Sequence, residues 1–138
     1  MAATVTYLDP EPNGLATMLG GLIESNLRAH PRRELLLGKR STYSITAPDA
    51  GVTVTIGLAP GAVSLRNGVA GTPDVRIEAS SENLIGLSAV PLRFGLPDVL
   101  TPAGREVDRK LFKGELKVNG LLLHPAKLAR LNKLLTVL

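Results

Sequence analysis

Residues 42–66 read TYSITAPDAGVTVTIGLAPGAVSLR, and this stretch decides the fold. Tyr43, Ile45 and Ala47 alternate with Thr42, Ser44 and Thr46. Pro48-Asp49-Ala50-Gly51 then supplies turn chemistry. Beyond it Val52, Val54, Ile56 and Leu58 alternate with Thr53, Thr55 and Gly57. Ala59-Pro60-Gly61 turns the chain again, and Val63 and Leu65 alternate with Ser64 and Arg66. A period of two sends successive side chains to opposite faces of a strand, so each run carries one apolar and one polar face. The turns between them are short enough for antiparallel neighbours. A sheet of this pattern is covered on one side only.

Working outward, the loop 67–73 leads to a fourth strand. There Val75, Ile77 and Ala79 alternate with Asp74, Arg76 and Glu78. A fifth is expected over residues 115–119, with Leu116 and Val118 on one face and Glu115 and Lys117 on the other. Helices flank the strands. Leu15, Met18, Leu19, Leu22, Ile23 and Leu27 recur at helical spacing between Asn13 and Ala29. Gly20 and Gly21 weaken that helix, which implies close packing by another element. Leu35, Leu36 and Leu37 form a short turn that docks on the core. Ser80 and Ser81 cap a short helix through Leu84 and Leu87. Thr101-Pro102 is a cap and first turn for a helix over 103–112, with Val107 and Leu111 inward. His124-Pro125 opens a last helix whose apolar stripe is Leu128, Leu131, Leu134 and Leu135. The first dozen residues, interrupted by Pro10 and Pro12, read as an extended arm. Strands clustered between helices argue one α+β domain over residues 1–138 with a mostly antiparallel sheet.

Composition narrows the function. The 138 residues are 44% hydrophobic but only 3% aromatic, so the core is built from Leu, Val, Ile and Ala. An aliphatic wall either closes on itself or lines a space for an alkyl chain or ring. No cysteine is present, which excludes disulfides and thiolate metal sites. The formal charge of +4 permits contact with nucleic acid or anionic membrane without implying either. The four aromatics, Tyr7, Tyr43, Phe94 and Phe112, are too scattered to stack bases, so no nucleic acid partner is expected. The N-terminus lacks a basic region followed by an apolar run, and the expected location is cytoplasmic.

No catalytic signature stands out. Gly86-Leu87-Ser88-Ala89-Val90 falls short of a nucleophile elbow because Val90 replaces the second Gly. There is no Gly-rich phosphate loop ending in Lys-Ser/Thr. His30 and His124 each precede a proline at a helix boundary, where capping explains them, and no metal or cofactor is expected. Asp98, Glu106 and Asp108 have no spacing that demands an acid–base pair. Arg28-Ala29-His30-Pro31-Arg32-Arg33 reads as a solvated basic loop or a phosphate contact. Lys127, Arg130 and Lys133 flank the last helix's apolar stripe. They read either as a solvated face or as a transient contact with an anionic membrane.

Two stretches add a family resemblance. PDVRIEASSENL at 73–84 runs an alternating strand into a capped helix, and FKGELKVNG at 112–120 sets Gly114, Leu116 and Gly120 around a late strand. With the Leu-rich last helix they resemble the sterol carrier protein type-2 family. The resemblance implies a five-stranded sheet with helices packed on one face, an apolar cavity between them and the last helix near its mouth. Members bind sterols, fatty acids, acyl-CoAs or phospholipids without catalysis, and some are accessory or oligomerisation domains. Strand and helix phase then nominate Ile56, Leu65, Val75, Ile77, Leu84, Leu87, Phe94, Leu96, Leu116, Val118, Leu128 and Leu131 as lining residues. The stretch from Ser88 to Phe112, with Leu92, Phe94, Leu96, Val99 and Leu100, is longer than the family's link and reads as a lid or a plug. The expectation is a non-catalytic lipid binder, with a homodimer as one possible assembly. The alternative is an interaction or oligomerisation module whose interior is filled.

Overall fold

The computed structural model describes residues 4–69, 71–87, 92–93, 96–97, 101–113, 116–119 and 125–136. Phe94, Asp98, Val99, Leu100, Gly114, Gly120 and His124 lie outside the described residues. For Leu87, Leu96, Leu116 and Val118, only the placement of their elements is described.

The elements run β1 (Thr4–Tyr7), α1 (Gly14–Ala29), a 3₁₀ helix (Pro31–Gly38), β2 (Ser41–Ala47), β3 (Val52–Ala59), β4 (Ala62–Asn67) and β5 (Val75–Ala79). Then follow α2 (Ser81–Leu87), β6 (Leu92–Arg93), β7 (Leu96–Pro97), α3 (Pro102–Lys113), β8 (Leu116–Asn119) and α4 (Pro125–Leu135). The main sheet has the order β1-β4-β3-β2-β5-β8, while β6 and β7 form a separate two-stranded ladder. The α+β class holds, and the five expected strands are present as β4-β3-β2-β5-β8. The arm adds a sixth: β1 pairs parallel to β4. The β2–β5 pairing is parallel too, so the sheet is mixed.

Register explains the core. Tyr7, Leu65, Ile56, Tyr43 and Val75 lie opposite one another across five strands. The next row on that face holds Val54, Ile45, Ile77 and, at the backbone level, Val118. These rows join Leu15, Leu19 and Ile23 of α1 and Leu128, Leu131 and Leu134 of α4 in one buried cluster. The opposite face carries Thr42, Thr46, Thr53, Arg66, Arg76 and Glu78, as period two requires. At its centre Ser44 and Thr55 are 4% and 6% exposed, set in register between Arg76 and Arg66.

Caps fix the helix starts. Asn13 Oδ1 accepts from Ala16 N at 2.9 Å at the head of α1. Ser80 Oγ accepts from Asn83 N at 3.2 Å at the head of α2, and Thr101 Oγ1 accepts from Gly104 N at 3.1 Å before α3. Each satisfies a backbone donor that the first helical turn leaves without a partner. Gly20 has the packing role its position suggested. A Cβ there would meet the Tyr7 ring, with ring carbons at 2.8 Å. Gly21 faces open space.

Candidate functional site

The aliphatic face of the sheet is the first component. Ile56 and Leu65 sit on β3 and β4, which α1 packs against directly. Both are essentially inaccessible to solvent. Val75 and Ile77 sit on β5, whose outer neighbour β8 is met by α3. Leu84 of α2 and Leu128 and Leu131 of α4 are buried over the same sheet face. Leu87 falls on α2, Leu96 on β7 and Leu116 and Val118 on β8; Phe94 is outside the described residues. Seven of the nominated side chains thus join one cluster: Ile56, Leu65, Val75, Ile77, Leu84, Leu128 and Leu131.

A polar latch crosses this apolar layer, and the sequence reading missed it. The Tyr43 ring is fully buried, and its hydroxyl donates to the Lys127 carbonyl of α4 at 2.5 Å. Ser41 Oγ lies 3.0 Å from the same hydroxyl. Tyrosine has one hydroxyl proton and a carbonyl only accepts, so Ser41 must donate to Tyr43. Ser41 Oγ in turn accepts from Arg130 Nη1 at 3.2 Å, and that guanidinium also donates to the Lys39 carbonyl at 3.3 Å. Lys127 Nζ pairs with Asp74 Oδ1 at 3.1 Å, and Asp74 Oδ2 accepts from Thr42 N at 3.0 Å. Burial pushes the Tyr43 hydroxyl above the ordinary tyrosine range; the Ser41 hydrogen bond and the Arg130 charge oppose that shift.

The other end of α4 is held as firmly. Buried Asn26 of α1 donates through Nδ2 to the Leu134 carbonyl at 2.9 Å. Arg33 Nη1 donates to the Thr136 carbonyl at 2.5 Å. These are carbonyls that a helix terminus leaves without an intrahelical partner. Burial lowers the Arg33 pKa from its ordinary value, yet a guanidinium stays protonated.

Beside the latch, the 3₁₀ helix and α4 enclose an open groove of about 370 Å³. Leu35, Leu36, Ala126 and Ala129 give it an apolar lining, and Lys39, Arg130 and Lys133 supply its charges. Two of the three cations placed on the α4 flank by the sequence, Lys127 and Arg130, are engaged inside the fold, while Lys133 is exposed. Their partners are at least thirty positions away in sequence, so no local signal could have revealed them. Among the described residues, no three of His, Cys, Asp and Glu gather as a metal site. No described helix is long and apolar enough to cross a membrane.

Taken with the strand order, this helix-roofed mixed sheet is an α+β fold of the sterol carrier protein type-2 kind. A solved structure named "UbiJ-SCP2 Ubiquinone synthesis protein" aligns over 88% of this chain and 88% of its own, with a TM-score of 0.53 and 17% identity. At that identity the likeness shows the fold. No family model and no curated protein matches the chain.

Proposed function

We propose that this domain holds an apolar lipid between the sheet and its helical roof and does not transform it chemically. The observation that carries the reading is the sterol carrier protein type-2 fold with an aliphatic sheet face under separate covering elements. Transfer of a chain or ring from water to such a wall gains about 25 cal/mol per Å² buried. The half over β5 and β8 suits the cargo best, because α1 already packs on β3 and β4. The α4 helix, bonded at both ends, is a fixed wall. Access falls to the β6–β7 ladder, which stands apart from the main sheet and touches α3 and α4. The cargo class is a sterol, fatty acid, acyl-CoA or phospholipid. The similar solved structure, a ubiquinone synthesis protein by name, adds ubiquinone and its precursors to the ligands worth testing. A cytoplasmic carrier working between membranes fits this reading.

Native mass spectrometry of the purified protein, followed by organic extraction, tests it. A lipid recovered at near-stoichiometric level supports the carrier and names the class. A clean protein that also ignores fluorescent fatty acids, sterols, phospholipids and quinones sinks it. A stable oligomer of that clean protein would instead favour an interaction module with a filled interior.

A further inference from the structure

We propose that the outer face of the 3₁₀ helix docks the domain on an anionic lipid bilayer, with Leu35 entering the headgroup layer and Arg32, Lys39 and Lys133 meeting lipid anions. A 3₁₀ helix repeats every three residues, so Pro31–Gly38 presents three rows. Glu34 and Leu37 share the row that turns inward, where Leu37 is fully buried. Arg33 and Leu36 share the row that faces α4: Arg33 bonds the Thr136 carbonyl, and Leu36 lines the groove with Lys39, the residue that follows the helix. Arg32 and Leu35 share the outward row, and both are exposed.

Leu35 is 83% exposed, against 50% for Leu8 and 59% for Val69. A lone exposed leucine needs no explanation, but its setting here is one-signed. Arg32 stands on the same row, and every charge lining the adjoining groove is a cation. The nearest acid in sequence, Glu34, is half-buried on another row and has an interaction partner. An apolar tip ringed by cations complements a surface that is negative outside and apolar beneath. The patch also differs from the one that helix patterning suggests, because Lys127 and Arg130 of α4 are engaged within the fold. The proposal rests on the lipid-carrier reading for its purpose, since a carrier must meet the membrane it serves.

The test is co-flotation of the whole chain with vesicles of phosphatidylcholine alone and of phosphatidylcholine with one-quarter phosphatidylserine, at low and high salt. Binding to the anionic vesicles alone is expected, and it should weaken as salt rises. Leu35→Ser should weaken it about tenfold, as loss of an inserted leucine predicts. The pair Lys39→Glu and Lys133→Glu should abolish it, and Leu8→Ser, on the distant edge of the sheet, should leave it unchanged. Equal binding to neutral vesicles, no binding at all, or an unaffected Leu35→Ser overturns the proposal. Lipid extraction from the same preparations separates the two readings. Cargo without vesicle binding defeats the docking surface alone, and vesicle binding by a protein that yields no cargo and ignores the fluorescent lipids defeats the carrier and leaves the surface standing.

Discussion

The Tyr43 hydroxyl, at the centre of the sheet, donates to the Lys127 carbonyl in the first turn of α4, 84 positions further along the chain. This bond ties the roof to the floor through an otherwise aliphatic layer. Tyr43→Phe keeps the ring and its packing but leaves the Lys127 carbonyl and the Ser41 hydroxyl short of a partner. It should cost about 1–3 kcal/mol in urea unfolding, the penalty for a buried polar group left unpaired.

The same hydroxyl gives stability a pH dependence. Burial raises its pKa above the ordinary tyrosine value of about 10. As pH climbs past about 10 the unfolded chain releases this proton while the folded protein still holds it. The stability this group contributes is therefore complete below about pH 10 and is lost as pH rises towards the folded value. The stability difference between the wild type and Tyr43→Phe should shrink across that window and stay flat from pH 6 to pH 9.

Gly20 and Gly21 should respond oppositely to alanine. Gly21 faces open space, so Gly21→Ala should stabilise α1 by about 0.5–1 kcal/mol, the helical advantage of alanine over glycine. At Gly20 the new methyl would collide with the Tyr7 ring. Gly20→Ala should forfeit that gain and loosen β1, seen as faster amide exchange at Thr4–Tyr7. Tyr7→Ala in the same chain should restore the gain at Gly20.

Asn26 is a buried polar residue of α1, with its amide directed at the Leu134 carbonyl. Asn26→Ala should cost about 1–3 kcal/mol, because that carbonyl is left without a donor in a dry setting. Exchange protection in the last turn of α4 should fall with it. Replacing exposed Arg28, whose ion pair with Glu24 is a surface pair, should change stability by less than about 0.5 kcal/mol.

Overpacking distinguishes cargo space from solid core. Ile56→Phe, under α1, should cost about 1–3 kcal/mol and leave lipid uptake intact. Ile77→Phe, on the β5 side, should be better tolerated and should reduce uptake of a fluorescent fatty acid. Equal destabilisation at both sites, with uptake unchanged, would count against a cargo space over β5 and β8.

The parts of this fold that were legible are those decided locally. Alternation from Thr42 to Arg66 set three strands and their inward faces, and Ser80 and Thr101 marked helix starts by side-chain chemistry. The pairing of β1 was not legible, because Thr4–Tyr7 gains its strand partner and its ring contact from β4 and α1, both distant in sequence. The Leu35–Leu37 run hid three different fates. In a 3₁₀ helix consecutive residues take different rows, so Leu37 is buried, Leu36 lines the groove half-buried, and Leu35, which also lines it, stays largely exposed. Strand phase placed Ile56, Leu65, Val75 and Ile77 on one face correctly. Phase cannot say which half of that face lies beneath α1, since that depends on where the helices settle.

The bonds that hold α4 have a consequence for the order of events during synthesis. Asn26 reaches Leu134 across 108 positions, Arg33 reaches Thr136 across 103, and Tyr43 reaches Lys127 across 84. A chain emerging residue by residue from the ribosome releases β1 to β5 well before residues 125–136 exist. Until they arrive, the aliphatic side of the sheet stands without part of its roof and is open to unwanted association. The nascent chain therefore passes through a stage in which the surface that the finished domain keeps for its own interior faces outward.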